Sequence, residues 1–182
     1  MAFLDEHKAK FDNLRVSLET QNRDQLRRKA NGGNSILFSY PPSEEEEYME
    51  HARNVFPDNE FRFIDVAALF VEFIEKLGLE KVENRYKIYR ATPHKVFSSG
   101  ETGLADLIVQ KISEADQEGY IPVLIRTGVL HGTGIENVNI MEHKDIMKLK
   151  NPLIIFYPAK AENGNLYFLN FKPASKYRCT VI

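Results

Sequence analysis

Six side chains able to do chemistry stand at or just after the ends of short apolar runs. They are Tyr40 after SILFS, Asp65 closing FRFID, Arg126 and Thr127 after IPVLI, His131 in the loop that follows, and Tyr157 closing LIIFY. Strands buried in a parallel sheet read as such runs, and open α/β sheets bind ligands outside the carboxyl ends of their strands. The pattern predicts one rim carrying Tyr40, Pro41, Pro42, Asp65, Arg126, Thr127, Gly128, His131, Tyr157 and Pro158. A histidine among glycines offers a general base. A hydrogen-bonded loop histidine is the plainer reading of His131, because no nucleophile accompanies it. Asp65 is either a ligand carboxylate or the N-cap of the next helix, and a cap needs no further cause. Gly128, Gly132 and Gly134 have the permissive backbone that lets a ligand or another chain come close.

The turn after the first run stands where a phosphate-binding loop would. Such a loop needs bare glycine N–H groups and a lysine. Here Pro41 and Pro42 have no N–H to give, and Glu44 to Glu47 would repel a triphosphate while suiting the first turn of a helix. The turn reads as rigid, presenting Tyr40 as an interface anchor. Other chemistries fail on their spacing. His7, His51, His94, His131 and His143 are scattered and form no zinc motif, and no GxSxG is present. The acidic residues fall mainly on helices, as solvated faces do. No catalytic residue, metal or cofactor is assigned.

A second candidate surface is the stretch Asn84 to Ser99, where Arg85, Lys87, Arg90 and Lys95 interleave with Tyr86 and Tyr89 and no acidic residue intervenes. That composition suits nucleic acid or an acidic partner. It equally suits an exposed edge strand whose lysines and proline discourage aggregation, which is the reading preferred.

The elements that must position these groups follow from periodicity. Leu4, Phe11, Leu14 and Leu18 predict an amphipathic helix over about 3–20, followed by a polar linker over about 21–34. Ser43 caps a helix with Glu46 completing a capping box. Strands are expected at 35–39, 61–66, 121–126 and 153–157, with helices over 69–77, from SSGETG through Ala115, and over 141–149. AKAENGN is a hairpin-like turn, after which Leu166–Phe171 and Tyr177–Ile182 are expected as an antiparallel pair. The order implies an α/β fold, a three-layer α/β/α sandwich with a mostly parallel sheet.

With 182 residues and 43% hydrophobic, the chain reads as one domain spanning 1–182. A net charge of -2 provides no global field toward nucleic acid or anionic lipid. Cys179 is the one cysteine, which excludes an internal disulfide and fits a reducing, cytoplasmic setting. No apolar stretch reads as a membrane span.

The succession SILFSYPPSEEEEYMEHA, FRFIDVAALFVEFIEKLG, VLIRTGVLHGTGIENVNIMEH, PLIIFYPAKAENGNLYFLNF and YRCTVI resembles the BrxB family of BREX bacteriophage-exclusion systems, over roughly residues 35–182. Tyr40-Pro41-Pro42, Thr127-Gly128 and Phe156-Tyr157-Pro158 carry the match. The chain departs from the family's usual pattern in lacking a Tyr-Pro followed by Arg after Thr-Gly, and in having Ala159 where glycine is usual. The resemblance implies a P-loop- or AAA-related fold without Walker motifs. It also implies a cytoplasmic antiphage role beside a large ATPase, an adenine-specific DNA methyltransferase and PglZ, an alkaline-phosphatase-superfamily protein. The expected function is a non-catalytic adaptor that binds PglZ, touching DNA only indirectly or weakly. The alternative is a nucleotide- or small-molecule-binding enzyme using the rim.

Overall fold

A computed structural model describes residues 5–98 and 103–182. It begins with two helices, α1 (Asp5–Leu18) and α2 (Thr20–Lys29), so the polar linker expected over 21–34 is mostly helical. Gln, Arg, Lys and Leu are good helix formers, and only Leu26 of α2 is buried. Two of its arginines are fastened: Arg23 Nη1 donates to Asn151 Oδ1 at 3.1 Å and Arg27 Nη2 to the Leu149 carbonyl at 3.1 Å. Leu4 of the anticipated stripe lies outside the described residues.

Strand β1 (Ser35–Tyr40) is buried along its whole length. The turn Pro42–Glu44 and helix α3 (Glu45–Val55) follow, and Ser43 makes no cap: the chain enters α3 through a 3-10 turn begun by Pro42. Proline's fixed φ starts that turn one residue before serine could act. Strand β2 (Phe61–Asp65) runs straight into α4 (Val66–Leu77), whose N-cap is Asp65. Gly78, at φ +84, joins α4 to α5 (Leu79–Ile88). The edge strand expected over Asn84 to Ser99 is therefore helix and a 3-10 turn, Pro93–Val96. Val82, Val96 and Phe97 pull it onto the core.

Helix α6 (Leu104–Gln117) leads into β3 (Ile121–Ile125). The SSGETG opening falls partly outside the described residues; within them, Asp106 Oδ2 accepts the Gly103 N–H at 2.8 Å. Pro122 is tolerated within β3 because it precedes the β3–β4 pairing, which starts at Val123. The single helix expected over 141–149 is two pieces, α7 (Asn137–Met141) and a 3-10 turn, Ile146–Lys148. Asn139 Oδ1 takes the Glu136 N–H at 2.7 Å and starts α7 early, and His143 Nδ1 takes the Asp145 N–H at 3.3 Å where the helix stops.

Strand β4 (Leu153–Glu162) outlasts its expected end at Tyr157, then turns through Asn163 and Gly164, both at positive φ, into β5 (Asn165–Phe168). Such a two-residue turn matches strand twist. β6 (Lys172–Ala174) pairs antiparallel with β5. The last strand, β7 (Cys179–Val181), is parallel to β1 and not antiparallel to its predecessor. Ile182 extends that ladder, donating to the Leu37 carbonyl and accepting from the Ser39 N–H, both at 2.9 Å.

The main sheet has the order β2-β3-β4-β1-β7, all parallel, with β5 added antiparallel to the outer end of β4 and β6 antiparallel to β5. Helices flank both faces. Ile36, Phe38 and Tyr40 face a core shared with α1, α2 and α3, whereas Leu37, Leu124 and Ile155 face one shared with α4, α5, α6 and α7. Burying a leucine- or phenylalanine-sized side chain contributes about 1.5–3 kcal/mol, so these two cores dominate stability. Among the described residues no helix is long and apolar enough to cross a membrane.

Candidate functional site

Parallel pairing brings the ends of β2 and β3 level, with Asp65 opposite Ile125, so the next residue, Arg126, reaches back across. Its Nη1 donates to Asp65 Oδ2 at 2.8 Å. Asp65 Oδ1 meanwhile accepts from the Ala67 and Ala68 N–H groups at 3.0 and 3.2 Å. The carboxylate is thus both cap and ion-pair partner, each of its oxygens already accepting from the chain itself. Arg126 adopts φ +55, a left-handed conformation that turns the chain out of the sheet into the 3-10 turn Thr127–Leu130. Buried Thr127 pins that turn by donating from Oγ1 to the Phe156 carbonyl at 2.7 Å.

Around this pair the rim is filled by the chain itself. Pro158 and Leu169 lie 3.7 Å from where a side chain on Gly128 would begin, and the Pro158 carbonyl accepts the Leu169 N–H at 2.8 Å. Gly134 does permit a close approach, but of His94: a Cβ there would stand 2.5 Å from the His94 Cβ. His131 is exposed and meets Phe171 edge-on, with ring centroids 5.3 Å apart. Phe171 is itself 61% exposed, a large apolar ring that the sequence reading passed over.

Two expected rim groups turn inward. Tyr40 is 1% exposed, stacked on Tyr48 at 5.2 Å, and donates its hydroxyl to Glu45 Oε2 at 2.6 Å. It therefore anchors the core beneath α3 and presents nothing to a partner. Tyr157 points to the opposite face and stacks on Phe168 at 4.7 Å. Burial pushes both phenols well above the usual range, with Glu45 adding to the effect on Tyr40 and Glu136 to that on Tyr157. Pro41 and Pro42 are half-buried.

Beside Tyr40 lies a polar chain that spacing could have exposed. His7 falls on the buried stripe of α1 with Phe11, Leu14 and Leu18. Its Nδ1 shares a hydrogen bond with the Tyr48 hydroxyl, and its Nε2 lies 3.4 Å from Glu44 Oε2. Burial raises the Tyr48 phenol too, helped by Glu44 and Glu6. Lys10 donates to the Ser39 carbonyl, and desolvation lowers its pKa against the pull of Glu6. The α1–α3 junction is thus a buried polar network rather than a plain apolar seam.

Of the basic stretch, Arg85 is tied to the Val96 carbonyl at 3.2 Å, while Lys87, Arg90 and Lys95 are exposed. Tyr86 and Ile88 stand beside them in solvent, Ile88 at 74% exposure. Separately, an open groove of about 800 Å³ runs between α6 and the turn Ile146–Lys148, with Asp106 and Glu114 on one wall and Lys144 and Lys148 on the other. Among the described residues no group of three or more His, Cys, Asp or Glu side chains is placed to hold a metal.

Fold and rim together define an α/β protein with a mostly parallel sheet flanked by helices, in which Asp65 binds Arg126 and Thr127 binds the Phe156 carbonyl at the carboxyl edge. Compared with protein-family models, with curated proteins and with solved structures, the chain matches none.

Proposed function

We propose that this chain is a non-catalytic interaction component of a BREX antiphage complex, with PglZ as its direct partner and the large ATPase as a further one. The family resemblance motivates the reading, and one observation carries it. At the carboxyl end of β1, beside β4, the turn is built of Pro41 and Pro42, is backed by Pro158 paired with Tyr40, and opens into the glutamates of α3. An anion there would meet no cradle of N–H groups and a row of negative charge. The reading places the protein in the cytoplasm.

A relation to P-loop or AAA-type domains lacking Walker motifs belongs to the same reading. What supports it is that β1 lies inside the sheet between β4 and β7, with the connections after β1 and β4 leaving toward opposite faces. That is a topological switch point.

The contact surface is assigned to the exposed rim groups Arg126, His131 and Phe171. A half-exposed arginine and an exposed aromatic are the side chains that anchor interfaces. Affinity purification from cells carrying the neighbouring genes tests this: PglZ should co-purify with the chain, and Phe171→Ala should reduce the yield. If ATP or GTP instead raises the melting temperature, as any ligand of the folded state must, the enzyme alternative takes over.

A further inference from the structure

Among the described residues no strand covers the sheet's β2 edge, and the ladder of β2 runs toward β3 alone. Ile121 N–H donates to the Glu60 carbonyl at 2.8 Å, which sets the phase of the parallel ladder. Even-numbered residues of β2 then bond to β3, and the N–H and C=O of Phe63 point away from the sheet. Phe61 N–H is taken by the Pro57 carbonyl at 3.0 Å, leaving Phe63 as the centre of the free edge.

Natural edges are commonly blunted by a charge, and Arg62 is the candidate. It does not serve that way, because its guanidinium lies over the Tyr120 ring at 4.2 Å and reaches Glu118 at 3.4 Å, drawn back over the neighbouring strand. The charges flanking the edge are already matched: Arg62 with Glu118, Lys111 with Glu114, Asp65 with Arg126. Another copy of this edge would meet these paired charges alongside the strand, with Glu60 the exposed acidic group at its start. Half-buried Phe63 projects toward the α1–α3 face, where the same ring from a two-fold-related strand would lie directly opposite. On the other face, Ile64, Leu69 and Ala115 line a groove of about 330 Å³ along the strand, open to a side chain from an added strand.

We propose that β2 pairs antiparallel with β2 of a second copy, about a two-fold axis at Phe63, joining two sheets into one. Phe63 exchanges both backbone hydrogen bonds with its counterpart, and Asp65 N–H reaches the Phe61 carbonyl at either end. A five-residue edge is a small contact, so the dimer is weak and concentration-dependent.

Sedimentation velocity across a concentration series, with amide exchange resolved at Phe63, tests this. The wild-type chain should pass from monomer to dimer as it is concentrated. Phe63→Lys and Phe63→Glu should each sediment as monomers, and their equimolar mixture should associate at least about tenfold more tightly than either alone. Should the variants fail to fold, the wild type decides by itself: exchange of the Phe63 amide should slow about tenfold on dimerisation. A chain still monomeric at roughly 1 mM overturns the proposal and leaves the edge to a strand of another protein. A dimer whose Phe63 amide exchanges at the same rate dilute and concentrated overturns it as well.

Discussion

Tyr40→Ala is the substitution that most directly weighs the inward turn of this residue. The ring is fully buried between Tyr48 and Phe156, so its removal leaves a cavity that α3 and β4 cannot close without moving. Deleting a buried aromatic costs about 3–5 kcal/mol, as much as or more than the 2–5 kcal/mol of Leu37→Ala. For a chain of this size each kcal/mol moves the melting temperature by about 2–4 °C, so a fall of roughly 6–20 °C is expected by calorimetry. Tyr40→Phe separates ring from hydroxyl. It keeps the packing and loses only the bond to Glu45, at about 1 kcal/mol near neutral pH. The phenol has a further signature, because burial and Glu45 hold its pKa far above that of the unfolded chain. An acid whose folded pKa is raised contributes stability that is complete below the unfolded value near 10 and is lost as pH rises past it. Wild type should therefore lose stability relative to Tyr40→Phe by about 1.4 kcal/mol per pH unit above that point. A Tyr40→Ala protein melting within about 2 °C of wild type would refute the buried placement.

The thiol of Cys179, pushed up to about 12 by burial, should react slowly with a disulfide reagent at pH 8 and rapidly in urea; prompt labelling of the native chain would count against its burial. By the same sign rule its stabilising share is full below the unfolded thiol's range and fades as pH rises toward 12. Asp116, buried on α6, accepts the N–H groups of Lys150 and Asn151 at 3.0 and 2.8 Å, so Asp116→Ala should cost about 2–3 kcal/mol in urea titration, and a neutral result would show that the entry to β4 holds itself. Joint reversal of Lys87, Arg90 and Lys95 to glutamate should leave the melting temperature within a few degrees. The wild-type chain should show little DNA binding by anisotropy; tight binding that collapses between roughly 50 and 200 mM salt and vanishes in the reversal variant would make the stretch from Lys87 to Lys95 a phosphate-contacting face.

The starts of β1 to β4 were legible because buried parallel strands announce themselves as apolar runs, and Asp65 as a cap because helix starts are local chemistry. What escaped was set by parity or by distant pairing. Tyr40 shares strand parity with Ile36 and Phe38 and so faces the same core, a signal outweighed by its place beside two prolines. Val82, Tyr86 and Tyr89 carry helical spacing through a stretch whose basic and aromatic composition suggested an edge. His7 and Asp116 each interrupt an apolar stripe, the mark of a polar group that must be satisfied inside. The direction of β7 had no local signal, since only the pairing of Ser35 with Cys179 decides it.

That pairing bears on how the chain acquires its shape during synthesis. β1 emerges early, yet both its neighbours, β4 and β7, are made late, and Ile36 must wait for Ile154 on one side and Thr180 on the other. At roughly 5–20 residues per second, the most apolar early segment spends several seconds with neither edge covered. Such long-range closure also slows the folding step itself. The helices α1 and α2 can form at once and shield one face of SILFSY, but one edge stays open until β4 is made and the other until β7 is. Cells making this protein should therefore hold β1 on a chaperone until β4 and β7 have been made.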